Sequence, residues 1–216
     1  MDTHLSQNYT NFMCVLVDDM STDNSANIVQ ERIRDDERFV LIRNSEKRTA
    51  VGNIHQAIEK AAPQPEDVVI NVDGDDWLAA RTVLDELVNT YEEKDVWMTY
   101  GSYIEFPSKA RGKFARSVPH DVIESNSYRS SEWMSSHLRT YKAKLWSKVQ
   151  QEDLMIDGKW VKGCGDLALM FPLLEISSTK SKFVKDILYI WNDLNELNEH
   201  KTKRGLQIKS EKEIRD

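Results

Sequence analysis

The sequence has few cysteines, no long apolar run and no excess of positive charge, and each absence narrows what the protein can be. Its two cysteines, Cys14 and Cys164, match neither a disulfide framework nor a Cys-x-x-Cys metal site, which favours a reducing, cytoplasmic location. No stretch is long enough to cross a bilayer, and no signal peptide opens the chain. The net charge of -7 argues against a nucleic-acid surface, since such surfaces need clustered Lys and Arg.

The remaining composition is that of an ordinary soluble globular protein. Hydrophobic residues make up 40% of the chain and charged residues 30%, and 216 residues suffice for one good core. The sequence contains no internal repeat and no low-complexity segment. We therefore predict a single domain over residues 1–198, followed by a charged tail over residues 199–216.

Short apolar segments alternate with amphipathic segments in the first half of the chain. Short apolar runs predict strands at residues 13–17, 39–42 and 68–72, and an extended run follows at 96–100. Helical spacing of apolar residues predicts helices at 26–33, 51–61 and 83–91, and Thr49 can cap the second of them. This alternation predicts an α/β fold, a three-layer α/β/α sandwich around a mostly parallel, mixed sheet.

The pattern weakens in the second half. Residues 107–130 lack a clear period and predict a long loop or lid beside the site. The segments beyond it predict a basic amphipathic element at 141–149, a helix at 166–176 that is broken or bent at Pro172, and a late strand at 187–191.

The strongest chemical signal is a buried strand that ends in an acidic loop. Residues 68–72 are almost entirely apolar, and Asp73, Asp75 and Asp76 follow around a glycine. Carboxylate oxygens suit Mg²⁺ or Mn²⁺, which keep open positions for substrate phosphates. An acidic turn without a ligand is the simpler alternative. A position at the carboxyl end of a buried strand, where α/β sheets bind ligands, favours a metal and diphosphate site.

Three motifs together resemble the family 2 glycosyltransferases of GT-A fold: Tyr9-Thr10-Asn11-Phe12, Val17-Asp18-Asp19-Met20-Ser21-Thr22-Asp23 and Val72-Asp73-Gly74-Asp75-Asp76. The order and spacing match over residues 5–90, although Met20 stands where the family usually has glycine. The chain opens inside what would be the first helix of that family. The resemblance thus implies that the family's first strand is absent at the N-terminus, a loss of roughly 20 to 25 residues by ordinary element lengths.

The resemblance also implies a ligand set. The donor would be a nucleoside-diphosphate sugar, the cofactor Mn²⁺ or Mg²⁺, and the acceptor a glycan or a lipid-linked molecule. Asp73 or Asp75 would bind the donor ribose and the metal, and Asp76 would complete or orient the coordination shell. His200 is a candidate for the C-terminal metal-binding histidine of many GT-A enzymes, and a solvated histidine in a charged tail is the alternative.

Further residues are candidates for donor contacts. The family places nucleobase and ribose contacts at the position of Asp18 and Asp19, although a solvated turn and a helix cap explain them too. Lys47 and Arg48 lie between a strand and a helix start, from which a cation can reach donor phosphates. His137 and Arg139 can contact phosphate or acceptor, or pack at the surface.

Asp166 is the candidate general base, because it lies at a predicted helix start where the family often has a Glu-Asp pair. A helix N-cap is the competing interpretation. The leading hypothesis is a metal-dependent glycosyltransferase that inverts the anomeric carbon, and peripheral association with a membrane stays open. The rivals are a non-catalytic fragment that binds nucleotide or glycan, and a nucleotidyltransferase, whose expected Gly-rich phosphate loop is not found.

Overall fold

The computed structural model describes residues 2–216, apart from the side chain of His200. The chain begins with helix α1 (Asp2–Leu5), and strand β1 (Cys14–Asp18) then leads through helix α2 (Ser25–Ile33) to strand β2 (Phe39–Arg43). These two strands pair in parallel, from Cys14 opposite Phe39 to Asp18 opposite Arg43, and form a sheet of their own.

The central sheet contains five strands and is mixed. Its strands, in chain order, are β3 (Val68–Asn71), β4 (Trp77–Leu78), β5 (Met98–Phe106), β6 (Arg139–Lys142) and β9 (Ser181–Asn192). Their spatial order is β3-β6-β5-β9-β4. Only β5 and β9 pair in parallel, and the other neighbours are antiparallel. A small antiparallel hairpin, β7 (Met155–Ile156) with β8 (Lys159–Trp160), lies apart from both sheets.

Two apolar clusters occupy the two faces of this sheet. Tyr100 of β5 belongs to the cluster around helices α3 (Thr49–Ala61) and α7 (Gly165–Ser177). Tyr103 of the same strand belongs to the cluster with helix α4 (Val83–Tyr91). Because side chains alternate between the faces of a strand, helices cover both sides of the sheet. The predicted α/β class with a mixed sheet is confirmed.

Helix α7 forms the centre of the larger cluster. Every residue from Leu167 to Leu174 is buried, as expected for a helix that is apolar on all sides. Pro172 lies inside this helix, which continues to Ser177 as one element. The remaining helices are short, apart from the last: α5 (His120–Glu124), α6 (Ala143–Trp146), α8 (Glu199–Thr202) and α9 (Arg204–Arg215).

Three segments differ in detail from the sequence prediction. The predicted loop at 107–130 contains α5, and it is tied to the sheet by the backbone N–H of Val118, which donates to the Tyr100 hydroxyl at 3.0 Å. The predicted amphipathic element at 141–149 begins as strand β6, because Tyr141 is fully buried in the sheet. In the charged tail, Ile214 of α9 is buried in the main core.

Among the helices of the described residues, none combines the length and the apolar character that crossing a bilayer requires.

Candidate functional site

The acidic loop between β3 and β4 is held by strand β9. The Tyr189 hydroxyl donates to Asp76 Oδ2 at 2.6 Å, and the backbone N–H of Asn192 donates to Asp76 Oδ1 at 2.7 Å. Tyr189 Oη also accepts a hydrogen bond from the backbone N–H of Asp73 at 3.2 Å. The register of β4 against β9, with Leu78 opposite Tyr189, brings these groups together. The loop is therefore fixed at both ends.

Asp76 is the buried member of the acidic loop, with 3% of its surface exposed. Burial raises its pKa to about 7, and the negative charges of Asp73 and Asp75 add to this rise, whereas the bonds from Tyr189 and Asn192 oppose it. A carboxylate whose charge is this unfavourable gains most from a nearby cation.

Asp75 faces the segment that follows β9. Its carboxylate accepts a hydrogen bond from Asn195 Nδ2 at 2.6 Å, and its carbonyl accepts one from Asn192 Nδ2 at 3.2 Å. Among the described residues, the cluster of side chains able to hold a metal ion does not include Asp75. The segment after β9 thus covers one side of the acidic loop.

Asp73 is paired with a buried cation from the neighbouring strand. The two Asp73 carboxylate oxygens lie 3.2 and 3.4 Å from Arg139 Nη2. The β3–β6 register sets this pairing, because it places Arg139 opposite Asn71, two residues before Asp73. The Arg139 side chain is 6% exposed and that of Asp73 is 49% exposed, so the guanidinium is buried and the carboxylate faces the surface.

His137 lies beside this pair in a fixed orientation. Its ring stacks on Tyr189 with centroids 4.4 Å apart and packs edge-on against Tyr103. Its Nδ1 lies 3.2 Å from Arg139 Nη2, and since a guanidinium can only donate, Nδ1 is the acceptor. The geometry therefore assigns the proton to Nε2, which lies 4.0 Å from Asp73 Oδ2. Burial and the charge of Arg139 lower the pKa of His137, so the ring is neutral.

Asp166 lies in the first turn of α7, close enough to interact electrostatically with Arg139. Burial raises its pKa, and the positive charge of Arg139 opposes that rise. Gly165 lets α7 start close to α3, because a Cβ at this position would lie only 2.9 Å from Val51 Cγ2. The predicted general base and the acidic loop thus share one cation.

Asp19 holds the start of α3. Its Oδ1 accepts from Asn44 Nδ2 at 2.8 Å and from the backbone N–H of Arg48 at 2.9 Å, and its Oδ2 accepts from the backbone N–H of Thr49 at 3.2 Å. Partial burial raises the pKa of Asp19, but these hydrogen bonds outweigh it and the pKa is lowered. The predicted Thr49 cap is wrong: Thr49 is the first helical residue, and Asp19 supplies the cap.

Two further candidates lie at the surface near this cap. Asp18 accepts a hydrogen bond from the backbone N–H of Ser21 at 3.3 Å. The Arg48 guanidinium lies 3.8 Å from Glu46, and its side chain is 40% exposed. Both side chains are accessible to a ligand, and their predicted donor contacts stay predictions.

Three side chains at the site could share a metal ion. Ligand atoms of Asp73, Asp76 and His137 all lie within 4.8 Å of one another. Carboxylate oxygens fit Mg²⁺ or Mn²⁺, and each can accept more than one partner. Binding through His137 Nε2 would require its proton to move, so the fit depends on the carboxylates. Of the predicted metal ligands, Asp76 belongs to this group, Asp75 does not, and the side chain of His200 lies outside the described residues.

Sequence reasoning missed the residues that hold the acidic loop: Tyr189, Asn192 and Asn195. Tyr189 stands in an apolar run and reads as a core residue. Asn192, directly after that predicted strand, and Asn195, three residues further on, were the available signal, since polar side chains at the end of a strand often serve a site.

Comparisons with known proteins give a family match. The model of the family described as "Glycosyl transferase family 2" matches residues 1–151. No curated protein sequence matches the chain significantly.

Solved structures share the fold at low sequence identity. The mannosyltransferase PcManGT from Pyrobaculum calidifontis, in complex with GDP-Man and Mn²⁺, has a TM-score of 0.65 and 17% identity, and the match covers 100% of this chain and 59% of that one. S. aureus TarS has a TM-score of 0.59 and 17% identity, with 88% of this chain and 33% of that one covered. Its fragment 1-349 has a TM-score of 0.61 and 17% identity, and the match covers 88% of this chain and 55% of that one. The chain thus spans less than two thirds of each.

Proposed function

This chain belongs to glycosyl transferase family 2, and from that membership we propose that it moves a sugar from a nucleoside-diphosphate donor to an acceptor hydroxyl. The observation that carries the proposal is the cluster of Asp73, Asp76, His137 and Arg139 at the end of β3. This cluster combines hard oxygen ligands with a buried guanidinium. The oxygen ligands can hold a divalent cation, and that cation and the guanidinium can together neutralise a diphosphate.

The acidic loop would bind the donor together with Mn²⁺ or Mg²⁺. Ligand oxygens of Asp73 and Asp76 lie within 4.8 Å of each other, and Asp75 lies between these two residues in the chain. A bound divalent ion supplies Lewis-acid stabilisation of the departing diphosphate. The Mn²⁺ and GDP-Man in the structurally similar mannosyltransferase support this assignment.

The protein's own groups have distinct roles in this proposal. Arg139 donates to diphosphate oxygens when the donor displaces its bond to Asp73. His137, held by Tyr189, offers its Nε2–H to the same oxygens. Asp18, Asp19 and Arg48 would contact the nucleoside and its phosphates at the ends of β1 and β2.

Asp166 would remove the proton from the acceptor hydroxyl. Burial raises the pKa of Asp166 towards the working pH. A general base is most effective when its pKa lies near that pH. Attack from the side opposite the leaving diphosphate would invert the anomeric carbon, as family membership suggests. The acceptor would be a glycan or a lipid-linked molecule. Free, partly buried Cys14 and Cys164 support a reducing compartment such as the cytoplasm.

Donor hydrolysis across a panel of nucleotide sugars tests this function. We expect nucleotide release from one donor with Mn²⁺ or Mg²⁺ and none with chelator. Asp73→Asn should remove the release, whereas Asp35→Asn, at an exposed surface position, should leave it unchanged. Metal-dependent nucleotide binding without any turnover would favour the alternative, a module that binds nucleotide or glycan. The absence of both binding and release would refute the proposal.

A further inference from the structure

A pocket lies between the start of α3 and the β7–β8 hairpin, and its lining residues are separate from the cluster of Asp73, Asp76, His137 and Arg139. Its volume is about 370 Å³, and its walls include Lys47, Arg48, Lys159, Trp160 and Lys162. A cavity of this size can hold a small polar group together with part of a larger ligand. We propose that the hairpin side of this pocket, with Lys159 and Lys162, binds a phosphate group of the acceptor, so that the acceptor substrate is a phosphate-bearing molecule and Arg48 on the opposite wall stays with the donor.

The charge of the pocket is the first argument. Four basic side chains line it, two from each wall, against the single carboxylate of Glu46. That carboxylate lies near Arg48, at 3.8 Å. No ion pair within the part of the chain that the structure describes involves Lys47, Lys159 or Lys162. In a chain with a net charge of -7, this is a local positive site with unpaired cations.

The walls are fixed, which is the second argument. The Trp160 ring lies directly on α3, since a Cβ on Gly52 would come within 2.9 Å of Trp160 Cδ1. Trp160 also packs against His55 with ring centroids 5.0 Å apart. The hairpin turns through Asp157 and Gly158, both with positive φ, as a tight hairpin requires. Lys159 and Lys162 are therefore held on a packed element.

The position relative to Asp166 is the third argument. Lys162 precedes Asp166 by four residues, and the α7 start packs on the α3 start through Gly165, Val51 and Ala50. The pocket and the proposed base thus both adjoin the start of α3. A phosphate held by Lys159 and Lys162 would direct the rest of its molecule towards this junction.

This inference rests on the proposed function, because only a transfer reaction has an acceptor. The acceptor's phosphate takes no part in bond making. The acceptor oxygen forms the bond to the anomeric carbon, its proton goes to Asp166, and the nucleoside diphosphate leaves with the electron pair. The cations interact with the phosphate, which carries about -1.5 to -2 charges and several acceptor oxygens. A neutral acceptor would leave these cations without partners.

Titration with glycerol 3-phosphate, read by tryptophan fluorescence, tests the pocket without any donor. We expect a saturable change that glycerol does not produce and that disappears in Trp160→Phe. The double variant Lys159→Gln/Lys162→Gln should weaken glycerol 3-phosphate binding about tenfold, since two exposed charge pairs are removed. The matched variant Lys60→Gln/Lys94→Gln alters the same net charge away from the pocket and should change affinity less than twofold.

A second arm separates the acceptor phosphate from the donor phosphates. Affinity for uridine and guanosine diphosphate sugars should be equal in the wild type and in Lys159→Gln/Lys162→Gln. A loss of nucleotide-sugar affinity as large as the loss for glycerol 3-phosphate would overturn the inference, because the pocket would then belong to the donor. Equal responses to glycerol and glycerol 3-phosphate would overturn it too. The titration needs no turnover, so its result is separate from that of the hydrolysis assay.

Discussion

Replacing Arg139 with methionine should destabilise the protein and increase its affinity for a divalent cation. The Arg139 side chain is 6% exposed and pairs with Asp73, which is 49% exposed. The guanidinium also interacts with the charges of Asp166 and Asp76. Breaking a buried pair costs about 3–5 kcal/mol, and solvent screening of the half-exposed Asp73 reduces this to about 2–4 kcal/mol.

Mn²⁺ should recover more stability in Arg139→Met than in the wild type, because the ion replaces the missing positive charge among the carboxylates. Urea unfolding with and without Mn²⁺ measures both effects. The control is Arg116→Met, which breaks an exposed pair with Glu132, 50% and 61% exposed, and should cost less than about 1 kcal/mol. Equal losses in the two variants, or equal stabilisation of Arg139→Met and wild type by Mn²⁺, would refute the reasoning.

Three other predictions concern the acidic loop, the proposed base and the packing of α3. Burial raises the Asp76 pKa to about 7, so between about pH 4 and pH 7 the folded protein retains a proton that the unfolded chain has lost. The stability of the metal-free protein should therefore fall as pH rises through this range. Asp76→Asn should flatten this slope in urea midpoints, and parallel curves would contradict the assignment. Asp166→Asn should keep Mn²⁺-dependent donor binding and reduce transfer about 10²- to 10⁴-fold, and full transfer would show that the base lies elsewhere. Gly52→Ala should lower the free energy of unfolding by about 1–3 kcal/mol, because its Cβ would lie 2.9 Å from Trp160. The control Gly205→Ala, whose Cβ would have nothing within 4 Å, should not lower it. Equal thermal midpoints of the two variants would contradict this prediction.

The fold class followed from the sequence because its signals are local. Strands β1, β2 and β3 are short apolar runs, and in the amphipathic helices between them apolar residues recur every three to four positions. The strand order did not follow, since pairing depends on contacts between distant residues. Strand β6 shows why: four residues that end in Lys142 carry too little periodicity to predict a strand between β3 and β5.

The site was likewise predictable only where its residues are neighbours in the sequence. The acidic loop is recognisable in the sequence as three carboxylates after an apolar strand, so Asp73 and its neighbours could be predicted as site residues. The group that fixes the loop could not, because the Tyr189 hydroxyl bonds to Asp76 across 113 residues of chain. Only the register of β9 brings that hydroxyl to the loop.

The most direct test of the central claim is calorimetric titration of uridine and guanosine diphosphate sugars into the protein with Mn²⁺ or with chelator. The account predicts that one donor binds in the presence of Mn²⁺, that chelator weakens this binding at least tenfold, and that Asp73→Asn does the same. Binding of equal strength with chelator, or no binding of any donor with Mn²⁺, would contradict the claim that the acidic loop after β3 holds a metal and a nucleoside diphosphate.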